Sequence, residues 1–550
     1  MNDRQLPDAM QILELVNTVQ DAVVQMHYAC LNGDSELFES LSEDINLAFQ
    51  SFMPILQAHS RIRALYLTCE SIVDSLERII TMHTVDPVKC AHKIEFELIP
   101  IIQTFYTNFY YYEIALFDDG LLKQYMERDR FLLGGNTYID HAEEEGNYKY
   151  DLSIIVLGYN KLEYTRMCVE SLLKYIPEDL NYELILINHG SNDGTKEFFE
   201  EVAPDKQLDI FRNGGGLEAL SRIIEGKYFL SISNDVLVTE GAIENLLACV
   251  KSDPLIAFVV PTTPNVSNFQ SLETDAATLK DMYLFAAKNN KLNPLRWEQR
   301  CRLCNPISML PSNLILSTKG IVIDTYKLSE DEFLFPDDRL SLLIRKRGLK
   351  MMLANDAYCF HFGSVTLKEQ GHGDDDYLLN GRITFKKVFG VDPWNKGFCH
   401  DPALFKSLNI KKKNGARILG VSPGMGSNPL KAKAMLRELG SENIKMFLTS
   451  DEEQFQVDYE TYTDPGLIKI TSASEFTSVF AGEMFDYIFV ETDIGHDGID
   501  TLIKRLLPDG KLSVWYIDPE TAETPTNKAK PEIVPSGLYK SGVWHIYTLS

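Results

Sequence analysis

The stretch Ser153-Ile-Ile-Val-Leu-Gly-Tyr-Asn160 decides the fold of the middle of this chain, together with two later stretches of the same kind. These read Leu184-Ile-Leu-Ile-Asn-His-Gly-Ser-Asn-Asp-Gly194 and Tyr228-Phe-Leu-Ser-Ile-Ser-Asn-Asp235. Each is a short apolar run that enters a turn rich in Asn, Asp, Gly and Ser, which is typical of a strand end. Helix-like segments separate the runs, so the pattern predicts a βαβαβ unit with a parallel sheet. Ligands bind at the carboxyl ends of such strands, and we expect the functional site there.

Composition sets the class of protein. The 550 residues exceed one ordinary core and predict two to four domains. Apolar residues make up 45% and charged residues 24%, which is ordinary for globular domains. The net charge of −26 and the pI of about 4.9 argue against a nucleic-acid binder and against docking on an anionic membrane.

The chain shows no signals of export or membrane insertion. No apolar run is long enough to cross a bilayer, and the start Met1-Asn-Asp-Arg-Gln lacks the layout of a signal peptide. Nine scattered cysteines do not form a disulfide framework, so we predict a reducing, cytoplasmic location. Cys301 and Cys304 are interpreted as ordinary thiols, because a structural zinc site needs about four ligands.

The chain is predicted to be multidomain, with an N-terminal all-α helical bundle (1–135), a central α/β domain (148–402) and a C-terminal α/β Rossmann-like domain (414–550). In the first part, apolar residues recur at three- and four-residue spacing, which predicts four or five amphipathic helices. Examples are Ile12, Leu15, Val19, Val23 and Met26, and again Leu37, Leu41, Ile45 and Phe49. The aromatic cluster 105–112 is interpreted as core and domain seam, with an acceptor-binding groove as the alternative.

Taken together, the central motifs resemble a family-2 glycosyltransferase of the GT-A fold, which is Rossmann-like. The resemblance implies a nucleotide-sugar site made by the three strand-end turns and by the segment Arg212-Asn-Gly-Gly-Gly216. Its implied residues are Tyr159, Asn188, Gly190, Ser191, Arg212, Gly214, Arg222, Ser233 and Asn234. A glycine run and a helix start suit a diphosphate, since both let backbone amides approach an anion.

The resemblance also implies a metal and a base. Asp235 takes the last place of the family's Asp-x-Asp motif and His361 follows a later strand, so both are candidate ligands of Mn²⁺ or Mg²⁺. Asp337 and Asp338 begin a helix at the position of the catalytic base, which would accept the acceptor's proton in an inverting displacement. The alternative is that these two carboxylates only stabilise the helix start.

The C-terminal segment Arg417-Ile-Leu-Gly-Val-Ser-Pro-Gly-Met-Gly-Ser-Asn428 resembles the cofactor loop of a class I methyltransferase, with Gly424 and Gly426 at matching positions. The resemblance implies possible S-adenosylmethionine binding. A domain that only scaffolds or contacts the acceptor is an equally open interpretation, because fold analogy does not establish activity.

Three functional hypotheses follow. The first is an inverting, metal-dependent glycosyltransferase of bacterial type. It would use a UDP-hexose such as UDP-N-acetylglucosamine and a large acceptor: a surface protein such as flagellin, or a glycan precursor. The second is a bifunctional glycosyltransferase and methyltransferase. The third is a non-catalytic scaffold, suggested by Leu157, Asn188, Ser233 and Pro336, which depart from the family pattern. The sequence leaves the sugar, the acceptor and the oligomeric state open.

Overall fold

The protein is described by a computed structural model. The described residues are 8–59, 63–114, 117–118, 121, 148–209, 224–272, 274–276, 278–312, 335–346, 348–363, 379, 381–383, 385–386, 392–517, 531–538 and 542–549. Two compact units account for the chain. The first comprises residues 1–237, 310–333 and 365–370, and the second comprises 238–309, 334–364 and 371–550. Each is described by itself, and the domain boundaries given above stay a prediction.

The first unit begins with a helical bundle. Its helices are α1 (Ala9–Asn32), α2 (Ser35–His59), α3 (Arg63–His83), α4 (Pro87–Lys93) and α5 (Ile99–Glu113), with a π-helical turn (Ile94–Leu98) before α5. Two predicted core positions, Leu15 and Leu37, are exposed, whereas Val16 and Phe38 are buried. Leu15 and Val16 are adjacent apolar residues, as are Leu37 and Phe38. In each pair only the second residue lies on the face of the helix that is turned to the core.

The aromatic cluster lies partly in this bundle's core. Phe105 and Phe109 are fully buried, whereas Tyr106 and Tyr110 are half-buried. The ring of Phe105 packs against Phe49, Phe52 and Phe109. The side chains of Tyr111 and Tyr112 lie outside the described residues. The described aromatic rings are therefore mainly packing groups.

A parallel sheet follows in the first unit. Its strands are β1 (Tyr150–Gly158), β2 (Tyr182–Asn188), β3 (Lys206–Asp209), β4 (Gly226–Ser233) and the short β5 (Val236–Leu237), with α6 (Leu162–Tyr175) and α7 (Thr195–Val202) as connections. β1 pairs with β2 and β4, and β2 pairs with β3, all parallel. The chain winds outward from β1 to β3 and then returns to the other side of β1. This reversal leaves a crevice at the carboxyl ends of β1 and β4.

The second unit contains further strands of the central domain. These are β6 (Ile256–Thr262), β7 (Trp297–Arg300), β8 (Ile307–Pro311), β9 (Lys350–Tyr358) and β10 (Phe360–His361), with the helices α8 (Ala242–Lys251), α9 (Leu279–Asn289) and α10 (Pro336–Lys346). β6 pairs parallel with β9 and antiparallel with β8, and β7 pairs antiparallel with β9. Nearly every residue of β6 and β9 is buried, as expected for strands covered on both faces.

The C-terminal sheet of the second unit has seven strands in the order β13-β12-β11-β14-β15-β17-β16. They are β11 (Arg417–Val421), β12 (Lys445–Ser450), β13 (Ile468–Ile470), β14 (Phe485–Val490), β15 (Leu506–Tyr516), β16 (Glu532–Pro535) and β17 (Val543–Thr548). The accompanying helices are α11 (Pro402–Leu408), α12 (Ser427–Glu438), α13 (Gln456–Glu460) and α14 (Gly495–Ile503). Only β17 runs antiparallel to its neighbours. The strand order reverses beside β11, which places a second ligand crevice between the ends of β11 and β14.

Two sequence expectations can be compared with these elements. Among the described helices, none combines the length and apolar character that a bilayer crossing requires. All nine cysteines are buried free thiols, in agreement with the absence of a disulfide framework.

Candidate functional site

Side-chain hydrogen bonds join the three strand-end turns of the first unit. The backbone N–H of Asn160 donates to Ser191 Oγ (2.8 Å), and the Asn160 side-chain oxygen accepts from the N–H of Asn192 (3.0 Å). The amide of Asn234 donates to the Asn160 carbonyl (2.9 Å) and to Thr165 Oγ1 (2.8 Å). The rim of the crevice is therefore held in one shape before any ligand binds.

Asn188, one of the predicted nucleotide-sugar contacts, forms hydrogen bonds within this rim. Its amide donates to Asp209 Oδ1 (3.0 Å), its oxygen accepts from the N–H of Ser191 (3.0 Å), and it is only 4% exposed. Lys196 lies 2.9 Å from the other oxygen of Asp209. Asp209 was missed in the sequence; the available signal was a carboxylate directly after the apolar Leu208, in the manner of the other strand ends.

Asp193 ties the second turn to the start of α6. Its two carboxylate oxygens accept from the N–H of Leu162 (2.8 Å) and from Thr195 Oγ1 (2.6 Å). Partial burial opposes ionisation, but these hydrogen bonds outweigh it and lower the pKa of Asp193. Of the other predicted contacts in this rim, Tyr159 is half-buried, and Gly190 is exposed with φ +77°, a conformation that favours glycine.

Ser233, Asn234 and Asp235 have different roles in the third turn. Asn234 is buried and points its amide into the rim, whereas Ser233 and Asp235 are half-buried. Of the three, only Asp235 offers a carboxylate. One carboxylate combined with phosphate oxygens is a donor set that suits Mg²⁺ or Mn²⁺, so Asp235 fits the predicted metal role.

In the second unit, Asp338 forms a buried ion pair with Arg302. Arg302 Nε lies 2.5 Å from Asp338 Oδ1 and Nη2 lies 3.3 Å from Oδ2, and both side chains are more than nine-tenths buried. The guanidinium also stacks over the rings of Trp394 and Phe398. A carboxylate held in this way has both oxygens paired with Arg302, and the base role predicted for Asp337 or Asp338 stays a prediction.

Asp337 is the most strongly perturbed acid of this unit that keeps some solvent access. Burial, and then the charge of Asp338, raise the pKa of Asp337 to about 7, while Arg302, the N–H of Asn305 and His361 act in the opposite direction. A general base works best with a pKa near the operating pH. Asp337 therefore has the acidity that proton transfer from a hydroxyl group near neutral pH requires.

His361 lies in the second unit at the end of β10. It is 6% exposed, and its carbonyl accepts from the Asn265 side chain (2.8 Å). An imidazole is a common metal ligand, but this one is placed in a different unit from Asp235. The predicted pair of ligands thus stays a prediction.

Three predicted residues, Arg212, Gly214 and Arg222, lie outside the described part of the chain. The thiols of Cys301 and Cys304 are described, and they face different partners. Cys301 Sγ lies 2.9 Å from Ser427 Oγ, and Cys304 Sγ lies 3.0 Å from Ser267 Oγ. Their surroundings agree with the interpretation as ordinary thiols.

Comparison with known proteins bears on the same central region. Residues 153–300 match the family described as "Glycosyl transferase family 2". The central region therefore carries a family-2 glycosyltransferase domain. The match begins at the first residue of the stretch that decides the fold, and it includes the turn that ends in Asp235.

Segments of this chain are also similar in sequence to two curated proteins. A segment of 110 residues is 32% identical to the minor teichoic acid biosynthesis protein GgaB of Bacillus subtilis, covering 19% of this chain and 12% of that protein. A segment of 161 residues is 30% identical to the teichoic acid poly(glycerol phosphate) polymerase of Staphylococcus epidermidis, covering 28% and 21%. The matches thus span less than a quarter of either relative.

A solved structure described as "GalNAc-T7 with UDP, GalNAc and Mn2+" is similar at 15% identity and a TM-score of 0.31, covering 45% of this chain and 50% of that one.

Outside the glycosyltransferase domain, the glycine turn after β11 is packed against the chain itself. The N–H of Met425 donates to the Lys396 carbonyl (2.8 Å), and the N–H of Ser427 donates to the Gly397 carbonyl (3.2 Å). A Cβ at Gly424 would lie 2.0 Å from the Lys396 carbonyl oxygen. The predicted S-adenosylmethionine loop thus needs glycine at position 424 for this backbone contact, and the amides of Met425 and Ser427 already donate to carbonyl groups of the chain.

A cavity of about 700 Å³ lies beside this turn, at the ends of β14 and β15. Its walls include Lys396, Glu491, Trp515, Tyr516 and Trp544. The two indole rings lie 5.3 Å apart, and burial raises the pKa of Glu491 to about 7. Aromatic faces beside carboxyl and amide groups suit a ligand with both apolar and hydroxyl surfaces.

Proposed function

We propose that this protein is a metal-dependent glycosyltransferase that moves a sugar from a nucleotide-sugar donor to a hydroxyl group of a large acceptor. The observation that carries the proposal is the family match of residues 153–300, which includes the strand-end turns and Asp235. The preorganised turns support it, as does Asp337, a carboxyl group at the start of α10 whose pKa is raised by burial to about 7.

In the proposed reaction, Asp337 accepts the proton of the acceptor hydroxyl group. The hydroxyl oxygen then forms a bond to the anomeric carbon of the sugar, and the bond from that carbon to the diphosphate breaks. Attack from the face opposite the leaving group inverts the anomeric configuration. The nucleoside diphosphate departs with the bonding electron pair, and the proton stays on Asp337 until solvent removes it.

The turns of the first unit are proposed to bind the donor. Asp235 would hold a Mn²⁺ or Mg²⁺ ion, which neutralises charge on the leaving diphosphate when bound. Asn160, Ser191 and Asn234 keep the turn backbones in place, and Asp209 with Asn188 offers polar groups close to the second turn. A UDP-hexose such as UDP-N-acetylglucosamine is the proposed donor.

Of the two acceptor classes, the glycan precursor is the one we propose. The support is that two relatives carry names from teichoic acid biosynthesis, one of them a poly(glycerol phosphate) polymerase. The cavity at the ends of β14 and β15 is proposed to contact this acceptor. S-adenosylmethionine is the less favoured occupant, because two amides of the predicted loop are used by Lys396 and Gly397.

The test measures nucleotide release from UDP-, GDP-, dTDP- and CMP-sugars with and without Mn²⁺, using wild type, Asp235→Asn and Asp337→Asn. The control is Asp281→Asn, because Asp281 is an exposed carboxylate in the first turn of α9 with a capping role only. We expect metal-dependent release with one donor class, loss of at least about 100-fold in the two site variants, and no loss in the control. Full activity of Asp337→Asn would contradict the assignment, and a melting-temperature rise with S-adenosylmethionine alone would favour the methyltransferase alternative.

A further inference from the structure

The helical bundle contains a buried group of metal-ligand side chains that the transferase proposal does not use. Cys30, His83 and Cys90 are 3%, 5% and 0% exposed, and their ligand atoms all lie within 4.8 Å of one another. Among the described residues, this is the one group of three or more His, Cys, Asp or Glu side chains with such spacing. The three residues come from the ends of α1 and α3 and from α4, so the chain must fold before they meet.

We propose that Cys30, His83 and Cys90 bind a thiophilic d¹⁰ cation, with Zn²⁺ as the expected ion, and that this ion links three helices of the bundle. Thiolate sulfur and imidazole nitrogen are the ligands that Zn²⁺ and Cu⁺ prefer, whereas Mn²⁺ and Mg²⁺ prefer oxygen. The site is therefore chemically distinct from the one proposed for Asp235.

The spacing of the ligand atoms supports the proposal. Cys30 Sγ lies 3.6 Å from His83 Nδ1. Bonds of about 2.3 Å to sulfur and about 2.0 Å to nitrogen in a tetrahedral zinc site imply a sulfur–nitrogen separation of about 3.5 Å. The pair thus already has the separation that zinc would impose. The Pro87 carbonyl oxygen, 3.2 Å from Cys30 Sγ, stands beside the site where a fourth ligand or a water molecule is needed.

The surroundings of His83 fix which nitrogen faces the thiols. His83 Nε2 lies 3.3 Å from Ser35 Oγ, and the ring stacks on Phe38 at 3.8 Å between centroids. A metal-bound histidine usually donates its other ring N–H to an oxygen, and Ser35 can accept that hydrogen bond. This orientation leaves Nδ1 directed at Cys30.

Charge balance favours a divalent ion in this interior. Two thiolates and one neutral imidazole carry a charge of −2, so the complex with Zn²⁺ is neutral and its burial is not penalised as an isolated ion would be. The alternative is two protonated thiols that donate to backbone carbonyls, from Cys30 to Pro87 (3.2 Å) and from Cys90 to Ile79 (3.5 Å). The two arrangements differ in metal content, which can be measured directly.

The test uses the full chain purified without a histidine tag or chelator, and measures zinc and copper per chain by mass spectrometry. We expect about one metal ion per chain in wild type and almost none in Cys30→Ser and Cys90→Ser. Cys69→Ser is the matched control, because Cys69 is a fully buried cysteine of α3 outside the group, and it should keep the metal. Zinc and copper are counted separately, so the result also says which of the two ions the site selects.

A second measurement uses only the wild-type protein, so it remains valid if the cysteine variants fail to fold. Wild type reconstituted with Co²⁺ should show the near-ultraviolet charge-transfer band of thiolate–cobalt bonds, and a chelator should lower the melting temperature of the helical signal. Wild type that holds neither zinc nor copper, or that shows no thiolate band with Co²⁺, would overturn the proposal. Equal metal loss in Cys69→Ser and Cys30→Ser would overturn the assignment of ligands.

Discussion

The substitution Asp337→Asn should stabilise the protein at alkaline pH while it abolishes transfer. The pKa of Asp337 is raised from an ordinary value of 3.8 to about 7, so the folded protein holds a proton there that the unfolded chain releases. Wild-type stability therefore falls as the pH rises from about 4 to about 7 and stays low above that. A shift of about 3 units corresponds to a loss of up to about 4 kcal/mol.

Asparagine keeps an oxygen acceptor but never ionises, so it avoids this cost. The stability gain of Asp337→Asn over wild type should be near zero below about pH 4, grow between about pH 4 and pH 7, and reach a plateau above about pH 7. For a unit of this size, the gain at pH 8 should raise the melting temperature by on the order of 5 °C. Calorimetry at several pH values gives the difference, and Asp281→Asn serves as the control because Asp281 is exposed.

Activity provides the second half of this test. In wild type, log kcat/KM should rise with pH up to about 7 and then level off, because only ionised Asp337 can accept the proton. In Asp337→Asn, nucleotide release should fall by about 100-fold or more. A stability difference that does not change with pH, or a rate that does not depend on ionisation near pH 7, would refute the reasoning and favour the helix-start role.

Three further predictions concern neighbouring groups. Asp338→Asn should lower the free energy of unfolding by about 3 to 5 kcal/mol, because it leaves Arg302 buried without its counter-ion. Urea or thermal denaturation would measure this loss. A change under about 1 kcal/mol would argue against a buried ion pair. Asp235→Asn should weaken Mn²⁺ binding and reduce turnover by about 100-fold even at saturating metal. Measuring the rate as a function of Mn²⁺ concentration tests both effects. An unchanged titration curve would contradict the assignment of Asp235 as a metal ligand. In Asn234→Ala the turn at Asn160 loses the hydrogen bond from the Asn234 amide, which should cost roughly 1 to 3 kcal/mol of local stability. KM for the donor should therefore rise by a larger factor than kcat falls. Changes of equal size in KM and kcat would contradict a positioning role.

Sequence patterns predict elements well where one residue decides the local geometry. The apolar runs ending in Asn160 and Asn188 are strands, and the acidic pair at Asp337 begins a helix. The predictions for Leu15 and Leu37 failed because the helical period leaves two adjacent residues equally suited to the inner face. Which of the two is buried depends on the helices packed against them.

For the candidate site, too, some features could be predicted from the sequence and others depend on tertiary packing. Residue type and order along the chain were enough to indicate a nucleotide-sugar site, since carboxylates and asparagines follow successive strands. They could not show that the Asn188 amide donates a hydrogen bond to Asp209, because these residues lie 21 positions apart in the chain. Nor could they show that Gly424, in the turn after β11, is needed for contact with Lys396, since a close backbone approach demands glycine whether the neighbour is a ligand or the chain itself.

The sequence by itself determined that this chain has alternating strands and helices, polar turns at strand ends, and carboxylates in the order expected of a glycosyltransferase. These properties depend on residues close together in the chain. Only the tertiary structure decided that Asp338 pairs with Arg302, that burial raises the pKa of Asp337 to about 7, and that Cys30 meets His83 and Cys90. The reason is that burial and charge act through space, and a linear sequence does not specify which distant residues become neighbours.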